Sequence, residues 1–236
     1  MFFYDTTYIL LIPAIIFAMV ASNKVNRAFA RYSRVPNLNH ITGAQAARMV
    51  LDRNGLSNVE IKRVNGRLTD FYDPRSKSLS LSDDVYSATS VAAISVACHE
   101  VGHAIQDNVN YAPLKIRNGI VPIVNFGQAL TWPLVFIGLM LMAVGDANLG
   151  YYGNIIVNVG IICFLAVVIF HTITLPVEIN ASRRAIQQME SLGIVQGNEV
   201  GGAKQVLKAA ALTYVAALAM AIANLLRLIA LRDRNS

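Results

Sequence analysis

His99-Glu100-Val101-Gly102-His103 places two imidazoles four residues apart, with a carboxylate beside the first. On a helix, positions i and i+4 lie one above the other on one face. Both rings then aim at a single metal ion. Glu100, turned roughly 100° around the axis from His99, stands beside the ion rather than on it. Two fixed nitrogen ligands, an open position and a neighbouring base are what a hydrolytic zinc site needs. The competing reading is a chance match on a surface helix. The preceding residues, Ser90 to Cys98, are helix-forming and largely apolar, so the helix is expected to be buried. Two histidines and a carboxylate buried without a task would be costly. Gly102 lowers helix propensity by about 1 kcal/mol, which makes sense if another segment approaches closely there.

Catalytic zinc generally has three protein ligands. Beyond His103 the candidates are Asp107, Asp146, His171, Glu178, Glu190, Glu199 and Asp233. Asp107 would lie about one turn past the metal on a continuous helix. Asp146 and Asp233 fall on the opposite side of the membrane under the topology given below. Glu190 and Glu199 stay open, as does His171 at membrane depth, although a neutral interhelical hydrogen bond explains His171 as well. Glu178 fits best. It follows Leu175-Pro176, where a proline can open a new helical turn. Ala181, Ser182 and Ala185 share its helical face, small enough for close packing against Gly102 and Ala97. His40 lies in a loop without an evident partner. Cys98 and Cys163 read as small buried hydrophobes rather than as a disulfide, and Cys98 points away from the histidine face.

The elements that must position these residues belong to a membrane protein. Of 236 residues, 55% are hydrophobic and only 14% charged, against a typical quarter. The net charge of +6 fits basic loops facing the cytoplasm and anionic lipid. No nucleic-acid-binding motif accompanies it. The first apolar run, Tyr8 to Ala21, extended upstream by Phe2 and Phe3, precedes its basic residues Lys24, Arg27, Arg31 and Arg34. It reads as an uncleaved anchor with its N-terminus outside. Two more runs, Ile120–Gly145 and Ile155–Leu175, form a hairpin joined by Asp146–Gly153, a loop without Lys or Arg that should lie outside. The last run, Ala209–Leu231, is interrupted by Asn224 and Arg227. Four spans are expected, with a re-entrant or surface-lying final helix as the alternative, because Arg232 and Arg234 would end up outside.

Between the anchor and the histidine helix the chain is more polar. Thr42 to Asn54 reads as an amphipathic helix capped by Thr42 and ended at Gly55, with Ala46, Ala47, Val50 and Leu51 on one stripe. Val59–Val64 and Ser78–Ser82 have strand period, and Asp73-Pro74-Arg75-Ser76 reads as a turn between Leu68–Tyr72 and Ser78–Ser82. A small antiparallel sheet is expected. Its edge could hold a substrate backbone by strand addition, or the sheet could only pack under the helix.

Taken together, four stretches carry a resemblance: Asn26–Ser33 (NRAFARYS), Leu68–Pro74 (LTDFYDP), His99–Gln106 (HEVGHAIQ) and Leu175–Glu178 (LPVE). Over nearly its full length the chain resembles the bacterial and archaeal membrane-bound neutral zinc metallopeptidases, the YugP-like family, which is similar to the membrane gluzincins. The resemblance implies a mostly α membrane protein, with about four transmembrane helices and a small α+β zincin-like catalytic domain at the cytoplasmic face. Residues 1–22 would be the anchor, 23–118 the zincin-like portion, 119–175 the transmembrane hairpin, 176–208 a cytoplasmic segment with the third ligand, and 209–236 a last transmembrane helix and tail. It implies one zinc per chain on His99, His103 and Glu178, with Glu100 as general base. Substrates would be membrane-associated or misfolded proteins or peptides, at a multi-pass site in the cell inner (plasma) membrane facing the cytoplasm, with no nucleic acid. A non-catalytic zinc-binding scaffold and an intramembrane protease are the alternatives. The apolar run before His99 is too short for the latter.

The resemblance implies an acidic residue two positions after the ligand glutamate, and this chain departs from it with Asn180. Asn180 could orient a ligand histidine from outside the coordination sphere without charge. Ser182 is a further candidate for that supporting role. Tyr72, Tyr111 and Arg183 are candidates for stabilising an oxyanion.

Overall fold

A computed structural model describes residues 6–235; Phe2 and Phe3, read above as part of the first span, lie outside them. The chain is mostly helical. After a 3-10 turn at Thr6–Leu11 come α1 (Ile12–Tyr32), α2 (Gly43–Arg53), strands β1 (Glu60–Val64), β2 (Phe71–Asp73) and β3 (Ser78–Ser82), and the short α3 (Asp83–Tyr86). Then follow α4 (Val91–Asn108), α5 (Ala112–Ala143), α6 (Ala147–Ser191) and α7 (Asn198–Asp233). Four helical segments are long and apolar enough to cross a membrane: Thr6–Tyr32, α5, α6 and α7. The histidine helix α4 is not among them.

The chain divides into two compact units. The first comprises residues 6–20 of the described chain, 116–175 and 214–235; the second comprises 21–115 and 176–213. The first unit is built from apolar helix with small apolar clusters, one around Val124, Val135, Phe164 and Leu228. The second unit holds the larger core, with Leu51, Leu79, Leu81, Ile94, Met189 and Ile194 fully buried.

Local chemistry explains the boundaries in the second unit. Thr42 caps α2 in a full capping box: its hydroxyl accepts the Gln45 N–H, and the Gln45 side chain accepts the Thr42 N–H. Gly55 then takes φ +71°, a conformation that favours glycine. Ser90 caps α4 by accepting the Ala93 N–H. Asp73 holds the expected turn, accepting from the Arg75 N–H and the Ser76 hydroxyl.

The sheet differs from the expected antiparallel arrangement. Its order is β1-β3-β2, with β1 parallel to β3 and β2 antiparallel to it. Strand period identifies the faces but not the partners. β3 is central and buried along its whole length, while β1 and β2 are edges. The strand sought at Leu68–Tyr72 starts only at Phe71, because Leu68 has φ +54°. Two further boundaries move. α6 begins at Ala147, so the link from α5 is residues 144–146 rather than Asp146–Gly153; the Asp146 carboxylate accepts the Asn148 and Leu149 N–H groups and caps the helix. α6 also continues through Pro176 instead of restarting there.

Candidate metal centre

α4 carries His99, Glu100 and His103; the C-terminal part of α6 carries Glu178. Both segments belong to the second unit. Their close approach depends on Gly102: a Cβ there would stand 2.5 Å from the Ala181 carbonyl oxygen. Small residues on both helices bring the two faces together, as the sequence expectation for Gly102 and Ala181 required.

His99 Nε2 lies 3.3 Å and His103 Nε2 3.5 Å from the same Glu178 oxygen, Oε2. The histidine rings stand edge to face with centroids 5.0 Å apart. All three side chains are buried. Among the described residues, His99, His103 and Glu178 are the group whose donor atoms, all within 4.8 Å of one another, could hold a metal ion. Ligand bonds of 2.0–2.1 Å at tetrahedral angles put neighbouring donors roughly 3.3–3.4 Å apart. The nitrogen and oxygen donors and their spacing therefore fit zinc.

The far side of each imidazole is held. His99 Nδ1 is 3.1 Å from the Ser182 hydroxyl. His103 Nδ1 is 3.0 Å from Gln106 Oε1. Gln106 is fully buried and its Nε2 donates to the Val177 carbonyl (2.8 Å) and to Asn180 Oδ1 (3.0 Å). Asn180 Oδ1 also accepts from Arg184 Nε at 2.8 Å. Asn180 thus reaches His103 only through Gln106. Gln106 and Arg184 were not singled out from the sequence. Gln106 lies three residues after His103, and that spacing was the available signal.

Glu100 points toward β2. Burial pushes its carboxyl up to about 7, the neighbouring His99 works in the opposite direction, and the Tyr72 backbone N–H favours its charged form. The Tyr72 hydroxyl donates to Asp107 at 2.9 Å, and Asp107 is also paired with Lys77. Burial raises the Tyr72 phenol above its usual range. Arg183 is exposed and Tyr111 half-buried, and neither side chain is hydrogen-bonded to the triad. Glu190 pairs with Lys204 at 2.8 Å, and Glu199 accepts the Leu38 and Gln196 N–H groups. Burial pushes the Cys98 thiol up to about 12, so it stays protonated and apart from the metal group.

Fold and site together define a membrane protein with a buried two-histidine, one-glutamate group that could hold a metal ion. Residues 7–233 match the family described as "Putative neutral zinc metallopeptidase", and the chain belongs to that family. It is 45% identical over 230 residues to the "Putative membrane protease YugP" of Bacillus subtilis (strain 168), covering 96% of this chain and 98% of that protein. No solved structure matches.

Proposed function

We propose that the chain is a membrane-anchored zinc endopeptidase of the gluzincin type, carrying one zinc on His99, His103 and Glu178. The observation that carries this reading is the buried convergence of both histidine Nε2 atoms on Glu178 Oε2, with Glu100 beside it on α4. Zinc bound there would polarise the scissile carbonyl and make the attacking water more acidic. Ser182 and Gln106 keep each Nε2 turned inward. Glu100 accepts a proton from the water and delivers it to the departing amine nitrogen. Its carboxyl, already raised by burial to about 7, is suited to holding that proton between the two steps. Beside a bound dication its affinity for the proton falls.

β2 supplies the substrate groove. The Tyr72 N–H bonds to Glu100, so β2, an edge strand of the sheet, borders the base. An extended peptide pairing with that edge would bring its carbonyl to the site by strand addition. On this reading the α4–sheet assembly would work as a zincin-like unit. Residues 23–118 and 176–208 would face the cytoplasm of the plasma membrane, and membrane-associated or misfolded proteins would be the substrates.

Zinc analysis of the purified full chain tests the site. About one zinc per chain is expected in the native protein and a marked loss in Glu178→Ala; full zinc in that variant overturns the ligand set. Glu100→Gln should keep its zinc and lose turnover of an unfolded protein substrate by 10²–10⁴-fold, the usual contribution of a general base. Equal turnover would remove Glu100 from the mechanism.

A further inference from the structure

A groove on the second unit shares Ser182 with the candidate metal site but none of its proposed ligands. The C-terminal part of α6 and the N-terminal part of α7 line a cavity of about 470 Å³. Ile179, Ile186, Leu207 and Ala211 supply apolar wall, and Arg183, Lys204 and Lys208 line it with positive charge. Glu190, the carboxylate in the lining, is tied to Lys204 at 2.8 Å. Arg183 and Lys208 are exposed and, among the described residues, make no ion pair or hydrogen bond. The cavity therefore keeps two uncommitted cations above an apolar wall.

Its place along the chain fixes the occupant. The apolar stretch of α6 ends at Leu175, and Ile179 and Arg183 follow at one and two turns. The apolar stretch of α7 begins at Ala209, just after Lys208, and Ala211 already lies inside it. Both helices thus carry the groove at the level where an apolar span gives way to the headgroup layer, where basic pockets between helices hold anionic headgroups. A water-borne acidic peptide would match the cations, but not the apolar wall of Ile179, Ile186, Leu207 and Ala211.

We propose that this groove binds one anionic phospholipid, its phosphate on Arg183 and Lys208 and the upper part of an acyl chain along Ile179, Leu207 and Ala211. The proposal rests on charge and position, and holds whether or not the neighbouring metal centre is catalytic. Ser182, which holds His99, is also part of the groove lining, so the lipid would sit next to the support of a metal ligand.

The full-length protein in non-ionic detergent, titrated with phosphatidylglycerol or phosphatidylcholine and read by native mass spectrometry, gives the test. One retained phosphatidylglycerol per chain is expected, in preference to phosphatidylcholine. Arg183→Gln with Lys208→Gln should weaken that retention on the order of tenfold or more. Lys24→Gln with Arg27→Gln, exposed cations at the end of α1, should leave it unchanged. Ala211→Trp, which fills the acyl slot while keeping both charges, should also reduce it. Four results would overturn the proposal: no preference for the anionic lipid, equal loss in both charge-deleted doubles, full retention in Ala211→Trp, or an acidic peptide displacing the phosphatidylglycerol at equal concentration. The last would assign the groove to a polypeptide. Unchanged thermal unfolding of the variants confirms that binding, not folding, is being read.

Discussion

Gln106 sets the tautomer of His103, a proposed zinc ligand, from outside the candidate site. Its Nε2 donates to the Val177 carbonyl and Asn180 Oδ1, so its Oε1 is the atom facing His103 and can only accept. His103 must then carry its proton on Nδ1, leaving Nε2 free to bind a cation. Arg184 fixes the Asn180 amide in the same way. Supports of this kind are generally worth 10–100-fold in metal affinity. Gln106→Leu should therefore weaken zinc binding by that factor in a chelator competition, whereas Asn180→Asp, which keeps both acceptor contacts, should stay within a few-fold of the native chain. Native-like affinity in Gln106→Leu would assign the tautomer to some other contact. Asn180 was legible as a departure from an expected acidic residue, but its route to His103 was not, because spacing along a helix does not reveal what a neighbouring helix presents.

At the scale of elements, one backbone contact joins the two halves of the site. α4 and α6 meet where Gly102 faces the Ala181 carbonyl. Alanine improves helix propensity by about 1 kcal/mol, but a Cβ 2.5 Å from a backbone oxygen forces the helices apart, at a typical cost of about 1–3 kcal/mol. Because α6 carries Glu178, Gly102→Ala should lower both the thermal midpoint and zinc affinity. Gly201→Ala on α7, where a Cβ meets nothing within 4 Å, should be neutral or slightly stabilising. A Gly102→Ala protein that melts higher and keeps its zinc would mean the contact is not a constraint. The glycine was readable as a mark of close approach, and so were the capping box of α2 and the face of α4, since each follows from local chemistry. The parallel pairing of β1 with β3 was not, being a choice among distant partners. Neither was the passage of α6 through Pro176. Proline removes one helical hydrogen bond, which an apolar helix tolerates when side chains and neighbours re-satisfy the backbone.

For the whole molecule the open issue in the sequence was α7, whose basic tail argues against ending outside. Within the first unit that tail is locally engaged. Arg232 binds Asp233 and Asn158, and Arg234 donates to Thr6. Asn235 lines a cavity with Gly145 and Asp146 of the α5–α6 link. Arg227, the other polar interruption, lies buried against the rings of Tyr8 and Trp132, at 3.8 and 5.7 Å from their centroids. An Arg held by aromatic faces keeps a favourable electrostatic partner away from water, so it does not prevent α7 from crossing. The end of α7, Thr6 and the α5–α6 link then share one end of this unit, and the proposed topology puts that end outside. In a chain with Cys98→Ala and Cys163→Ser, single cysteines at Asn148 and Asn235 should both react with a membrane-impermeant maleimide on intact cells. Cysteines at Glu60 and Gln187 should react only after the membrane is opened. Protection of Asn235→Cys alongside reaction of Asn148→Cys would make α7 re-entrant. Reaction of Glu60→Cys on intact cells would turn the metal centre to the outer face and exclude cytoplasmic substrates.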